Sequence, residues 1–186
     1  MYSKIIGVSG KIGSGKTTFC SFVQEYLLSL KNKCELKGFA DKLKDVAFIL
    51  TGKRVKTQED KNIFIPEFQM TLGQILQKLG TETMRDHFDQ DVWIKALLSN
   101  IDENEFTIIH DVRFENEAKA IKEKKGLLIR LEGDPVAVRK NSTRDLTHSS
   151  ETSLDDYEGF HEVYQNDKSL EDLKLFAKKI IDNYYF

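Results

Sequence analysis

The stretch "IIGVSGKIGSGKTTFCSFV", Ile5 to Val23, decides how the rest of the chain is read. It opens on a short apolar run ended by glycine, the pattern of a strand buried on both faces of a parallel sheet. It closes on Phe19, Phe22 and Val23, continued by Tyr26, Leu27 and Leu30 at spacings of three and four, the apolar stripe of a helix lying on a sheet. Between them stands "GKIGSGKT", Gly10 to Thr17, two glycines with four residues between them followed by a lysine and a hydroxyl residue. Without side chains at the glycines, the backbone can curl and turn successive N–H groups inward. The result is a nest for phosphate oxygens at a helix N-terminus, where the helix dipole adds attraction. Lys11, Gly13, Ser14, Gly15, Lys16, Thr17 and Thr18 are therefore expected to hold a nucleotide's phosphates, with Lys16 reaching the β- and γ-phosphates and the Thr17 hydroxyl ligating Mg²⁺.

The chain around this motif has 186 residues, enough for one domain with a sizeable core. A hydrophobic fraction of 40%, a charged fraction of 31% and a net charge of -2 describe an ordinary globular protein, without a global field that draws it to nucleic acid. No signal-like or membrane-spanning run stands out, so a cytoplasmic protein without nucleic-acid or membrane partners is expected. Cys20 and Cys34 form no CxxC pair and read as buried free thiols of a reducing compartment.

Further along, "CELKGF" reads as a second strand and "ADKLKDVAFILTG" as a helix with Leu43, Val46, Ala47 and Leu50 on one face, ended by Gly52. The polar segment Lys53 to Pro66 reads as a mobile connection. "MTLGQILQKLGTETMRDHFDQDVWIKALLSNI" predicts two or three helical pieces, broken near Gly80 and again near Asp89 to Asp91. "EFTIIHD", "LLIRLEG" and "HEVYQND" read as strands; "ENEAKAIKEKKG" and the segment from Leu170 to Tyr184 read as helices. Strands alternating with helices imply an α/β fold of three layers, α/β/α, around a central parallel sheet of about five strands. Ligands of such a sheet sit beyond the carboxyl ends of its strands.

Asp111 ends one of those strands, at the position expected of a carboxylate that organises Mg²⁺ through its waters. Two residues later comes Arg113. Against twenty-two lysines the chain spends only six arginines: Arg54, Arg85, Arg113, Arg130, Arg139 and Arg144. Lysine supplies the routine surface charge, which singles out arginine, whose planar fork contacts phosphate in a bidentate way. Arg85, Arg113, Arg139 and Arg144 are candidates for the mouth of the sheet; Arg130, inside an apolar strand, reads as structural. Several arginines without an evident general base suit an acceptor that is itself a phosphate monoester, since its attacking oxygen is already anionic at pH 7. Arginine and Mg²⁺ then offset the repulsion between two polyanions and follow the charge into the transition state.

Several segments in order carry a family resemblance: "SGKIGSGKTT", "GFADKLKDVA", "ILQKLGTE" with "FDQDVWIKAL", "DVRFENEAKAIKEKKGLLIRL", "THSSET" and "NDKSLEDL". With these the chain resembles the phage-type deoxynucleoside monophosphate kinases, of the P-loop nucleotide kinase superfamily. The resemblance implies one kinase domain over 1–186, with a core of 1–52 and 104–186, an acceptor-binding helical region of about 53–103 and a short lid of about 134–150. It implies transfer of the γ-phosphate of ATP to a deoxynucleoside 5'-monophosphate, with Mg²⁺. Lys16, Asp111, Arg113, Arg139 and Arg144 would form the catalytic set, and Thr17 and Asp111 would serve the metal. Phe39, Ala40, Lys42, Gln69, Arg85, Trp93 and Arg113 would meet the acceptor, and Arg139 and Arg144 would belong to the lid. Trp93 also fits a core position, and Ser149 or Ser150 fits a helix cap before Glu151. The family further suggests a homodimer and an origin in a phage or virus. Two other readings share parts of the pattern: a small-molecule phosphate kinase such as phosphomevalonate kinase, and a P-loop ATPase or switch that transfers to no acceptor.

Overall fold

The computed structural model describes residues 2–134 and 149–186. These described residues fall into two compact units, one up to Gly38 and again from Ile101, the other Phe39–Asn100.

The first unit is built on five parallel strands: β1 (Ile5–Ser9), β2 (Cys34–Lys37) and, beyond the second unit, three more. The second unit contributes α2 (Phe39–Thr51), the short hairpin β3 (Phe64–Ile65) and β4 (Met70–Thr71), α3 (Leu72–Gln77) and α4 (Val92–Leu98). The first unit resumes with β5 (Phe106–Val112), α5 (Glu115–Glu123), β6 (Leu127–Glu132), α6 (Ser149–Thr152), β7 (Glu162–Gln165) and α7 (Leu170–Tyr185). Helix α1 (Lys16–Ser29) follows β1 directly. The sheet runs β2-β5-β1-β6-β7, so β1 stands at the centre and the chain passes to opposite sides of it on leaving. This is the α/β sheet with helices on both faces that the alternation predicts.

Side-chain alternation explains the layers. Ile6 and Val8 of β1, Phe106 and Ile108 of β5, and Leu127, Ile129 and Leu131 of β6 share one core with Phe19, Val23 and Leu27 of α1 and Leu173, Ala177, Ile180 and Ile181 of α7. The opposite face receives α5. A Cβ on Gly7 would lie 2.6 Å from the Ile121 side chain, so glycine at this position lets α5 approach the sheet closely. Phe22 and Tyr26 pack at the rim of the core, whereas Leu30, expected on the α1 stripe, falls past the helix end and is exposed.

The helical unit departs from expectation twice. The segment 53–66 is an ordered turn: the Asp60 carboxylate accepts from the N–H groups of Lys56 and Thr57, both at 2.7 Å, and Leu72 N–H bonds the Ile63 carbonyl. The chain also does not break at Gly80. After α3 the winding widens into a π-helix, Lys78–Phe88, that runs through this glycine. A Cβ there would stand 2.6 Å from Leu43 Cδ2, so Gly80 admits a neighbouring helix rather than ending its own. The second break does fall where the acidic residues stand, at Asp89 to Asp91 ahead of α4. Within α2 only Ala47 of the predicted face is fully buried, packed with Leu72 and Leu76 against Leu43, Val55 and Leu79. Among the described residues no helix is long and apolar enough to cross a membrane.

Candidate active site

The glycine loop joins the central strand to α1, and its conformation needs its glycines. Gly10, Gly13 and Gly15 have φ of 146°, 81° and 88°, backbone that L side chains rarely adopt. A Cβ on Gly10 would lie 2.4 Å from the Leu131 carbonyl oxygen, and one on Gly15 would lie 2.4 Å from Asn166 Nδ2. Buried Asn166, just past β7, donates to the Ser14 carbonyl at 3.0 Å and so fastens the loop to a strand two places away in the sheet. The Lys16 ammonium folds back over the loop and donates to the carbonyls of Gly10 (2.6 Å) and Lys11 (2.8 Å). Thr17 is exposed and Thr18 half-buried in the first turn of α1. Ser14 is fully buried, and its hydroxyl has no hydrogen-bond partner among the described residues.

Strand β5 lies beside β1, with Val112 paired to Ser9, which brings Asp111 and Arg113 to the same end of the sheet as the glycine loop. Asp111 is 9% exposed, and a Cβ on Gly38 would stand 2.8 Å from its Oδ2, so the glycine after β2 leaves room for this carboxylate. Arg113 is held from two sides. Its backbone N–H, with that of Phe114, donates to the buried Glu117 carboxylate (2.8 and 3.1 Å), which caps α5 from its own first turn. Its guanidinium pairs with Glu151 at 2.5 Å, and the other oxygen of Glu151 accepts the Ile12 N–H of the glycine loop at 3.1 Å.

A second ionic group flanks the loop. Asp155 accepts from Lys11 (2.7 Å) and Arg130 (3.0 Å), while Arg130 also donates to the Leu154 carbonyl and to Glu132. Burial pushes the Asp155 carboxyl up, but the hydrogen bonds and charges of Lys11 and Arg130 outweigh it and hold it below its ordinary value. Arg130 thus has the structural part that its strand position suggests. Arg139 and Arg144, and with them most of the lid expected over 134–150, lie outside the described residues.

The helical unit carries the remaining candidates. Phe39 is buried and Ala40 half-buried at the start of α2; Lys42 is exposed, and Lys44 pairs with Asp41 at 3.0 Å. Gln69 has a φ of 52° and closes its own turn by donating to the Pro66 carbonyl. Arg85 points a guanidinium N–H at the Gln90 carbonyl, 3.5 Å away. Trp93 is buried, with its indole N–H on the Gly80 carbonyl at 3.0 Å, so it also fills the core position that its helix face allows. Arg54 lies over the Phe48 ring, a structural cation–π contact.

Sequence reasoning missed Glu117, Asp155 and Asn166, and it met Glu151 only within the "THSSET" resemblance, without a role. Glu117 had a local signal, an acidic residue in the first turn of a helix. The other three meet the loop only through the tertiary fold.

No group of three or more His, Cys, Asp or Glu side chains among the described residues could hold a metal. The hard oxygens of Thr17 and Asp111 fit Mg²⁺ of the kind that keeps waters and takes its remaining ligands from bound phosphates.

Three comparisons bear on this arrangement. The profile of the family described as deoxynucleotide monophosphate kinase matches residues 25–178. A protein of Acanthamoeba polyphaga mimivirus, provisionally named a deoxynucleotide monophosphate kinase, is 31% identical over 96% of this chain and 96% of its own. Among solved structures, shikimate kinase from Acinetobacter baumannii in complex with shikimate is similar at a TM-score of 0.52 and 15% identity, covering 100% of this chain and 97% of its own. The Mycobacterium tuberculosis APS kinase CysC, in complex with AMPPNP and APS, also scores 0.52 at 12% identity, with 97% and 96% covered. At these identities the two structures speak for the fold alone.

Proposed function

Because the chain belongs to the deoxynucleotide monophosphate kinase family, we propose that it transfers the γ-phosphoryl group of ATP to the 5'-phosphate of a deoxynucleoside monophosphate, releasing ADP and the deoxynucleoside diphosphate. The observation that carries this reading is the pairing of Ser9 with Val112, which sets the glycine loop beside Asp111 and Arg113 at one end of the sheet. Backbone N–H groups from Lys11 to Thr18 cradle the donor phosphates, and Lys16 leaves the Gly10 and Lys11 carbonyls to meet them. Arg113 bridges donor and acceptor phosphates as the charge shifts onto the transferring group. No side chain has to remove a proton, because the acceptor oxygen is already anionic. Thr17 and, through waters, Asp111 would hold Mg²⁺, which would supply charge neutralisation on the donor phosphates. Arg139 and Arg144, outside the described residues, are further cations that this reading assigns to the phosphates. The unit of residues 39–100 takes the acceptor, with Phe39, Ala40, Lys42, Gln69, Arg85 and Trp93 as its candidate residues.

A coupled ADP-release assay with each of the four common deoxynucleoside monophosphates, with phosphomevalonate and with no acceptor tests the reading. At least one deoxynucleotide is expected to raise ADP release saturably above the acceptor-free rate. Release that no deoxynucleotide stimulates overturns the proposal; stimulation by phosphomevalonate alone replaces it with the small-molecule kinase, and an acceptor-independent rate replaces it with an ATPase.

A further inference from the structure

One buried carboxylate stands between two groups that the proposed reaction uses. The Glu151 side chain is 1% exposed, and its two oxygens divide their work: one pairs with Arg113 and the other accepts the Ile12 N–H. The contact joins the crest of the glycine loop to the residue after β5 through a third segment, 139 residues from Ile12 and 38 from Arg113. The same segment is fastened again four residues later, where Asp155 takes Lys11 and Arg130. A carboxylate withdrawn from water this far is costly unless charged partners compensate it, and its negative charge opposes phosphates arriving at the same loop.

We propose that Glu151 is a positioning residue for phosphoryl transfer: it holds the Arg113 guanidinium in the orientation used in the transition state and fixes the loop crest, at the expense of ground-state affinity for ATP. The proposal rests on the kinase reading above. The physical reason is preorganisation. An arginine has several rotatable bonds, and a fork already oriented by an ion pair loses less freedom when charge develops beside it. The carboxylate repels bound phosphate in the ground state, so its two effects have opposite signs. Loss of loop structure, by contrast, would weaken binding and turnover together.

The substitution Glu151→Gln separates these outcomes, because the amide oxygen can still accept from Ile12 N–H while the charge that holds Arg113 is gone. ATP affinity is measured by calorimetry with magnesium present, and kcat by ADP release with the preferred deoxynucleotide, for the wild type, Glu151→Gln, Arg113→Ala and the double variant. Glu151→Gln is expected to lower kcat about ten- to a hundredfold and to tighten ATP binding about threefold or more. In the Arg113→Ala background the same change should alter kcat by less than about twofold, because its effect passes through Arg113. An unchanged kcat, weaker ATP binding, or effects that multiply in the double variant overturn the proposal. If Glu151→Gln does not fold, Glu151→Asp carries the test: it keeps the charge but is one methylene shorter, and it must lower kcat without tightening ATP binding. A wild type inactive on every deoxynucleotide refutes the kinase reading and, with it, the role of Glu151 in transfer. A wild type that transfers while Glu151→Gln behaves normally refutes only the Glu151 role.

Discussion

Lys16 shows how far a single residue can be read. Its place after Gly15 makes it the candidate phosphate lysine, and the fold adds where its ammonium rests, on the carbonyls of Gly10 and Lys11. In the proposed reaction, a cation parked on the loop's own carbonyls has only to exchange partners. Lys16→Ala is expected to reduce phosphotransfer by about a hundredfold or more, with the melting temperature nearly unchanged because the side chain supports no core. ADP release and a thermal melt of the same sample check both halves; an unaltered rate removes Lys16 from the reaction. Cys20 was equally legible. Burial, opposed in part by the charge of Lys16, pushes its thiol up to about 12, as an inert free thiol requires. Cys34, only half-buried, is raised to about 12 by burial and by Glu35. Glu151 was not legible in this way. It stands in a polar run that equally suits a helix cap, and nothing local announces a partner 139 residues away.

At the scale of elements, periodicity located every strand of the main sheet and its packed helices, since a face that must be buried imposes its spacing on the sequence. It erred where glycine or polarity was read as punctuation. Gly80 serves a close approach by Leu43, and the polar segment 53–66 is ordered by Asp60 accepting two backbone N–H groups. The start of α5 joins element to site. Glu117 satisfies the N–H groups of Arg113 and Phe114, so the cap that begins the helix also fixes the backbone of the proposed phosphate-bridging arginine. Glu117→Ala removes the carboxylate from those part-buried donors and is expected to cost about 1–3 kcal/mol of stability, read from the urea midpoint, together with a lower kcat. An unchanged midpoint shows that water replaces the carboxylate.

Across the whole molecule, the outer strand pair β6 and β7 provides a pH-dependent part of stability. His161, one residue before β7, donates its backbone N–H to the Leu128 carbonyl and accepts the Leu128 N–H at Nδ1, with its ring edge-on to Tyr2. Burial and the charge of Lys122 hold the imidazole below its ordinary pKa. The unfolded chain therefore binds the proton more readily than the folded one. The stability from neutral His161 is complete above about pH 6.5 and is lost as the pH falls from there toward the lowered folded value. The wild type should melt at a lower temperature at pH 5.5 than at pH 7.5, and His161→Gln should lose less over the same interval. Equal losses in both proteins would place the acid sensitivity elsewhere.

The sequence by itself determined what depends on short-range constraint. Left-handed glycines at fixed spacing, a buried strand before them and an apolar helix face after them leave the backbone little choice, so the glycine loop and the α/β layers follow from local composition. Only the tertiary structure decided the rest. Pattern alone does not say that β5 and β6 flank β1, and it is this order that brings Asp111 and Arg113 to the loop. Nor does it say that Glu151 and Asp155 fold back onto Ile12 and Lys11, or that Asn166 fastens Ser14. Such contacts join residues far apart in the chain through the packing of strands and helices between them, and a buried carboxylate has no meaning until its partners have been brought within reach.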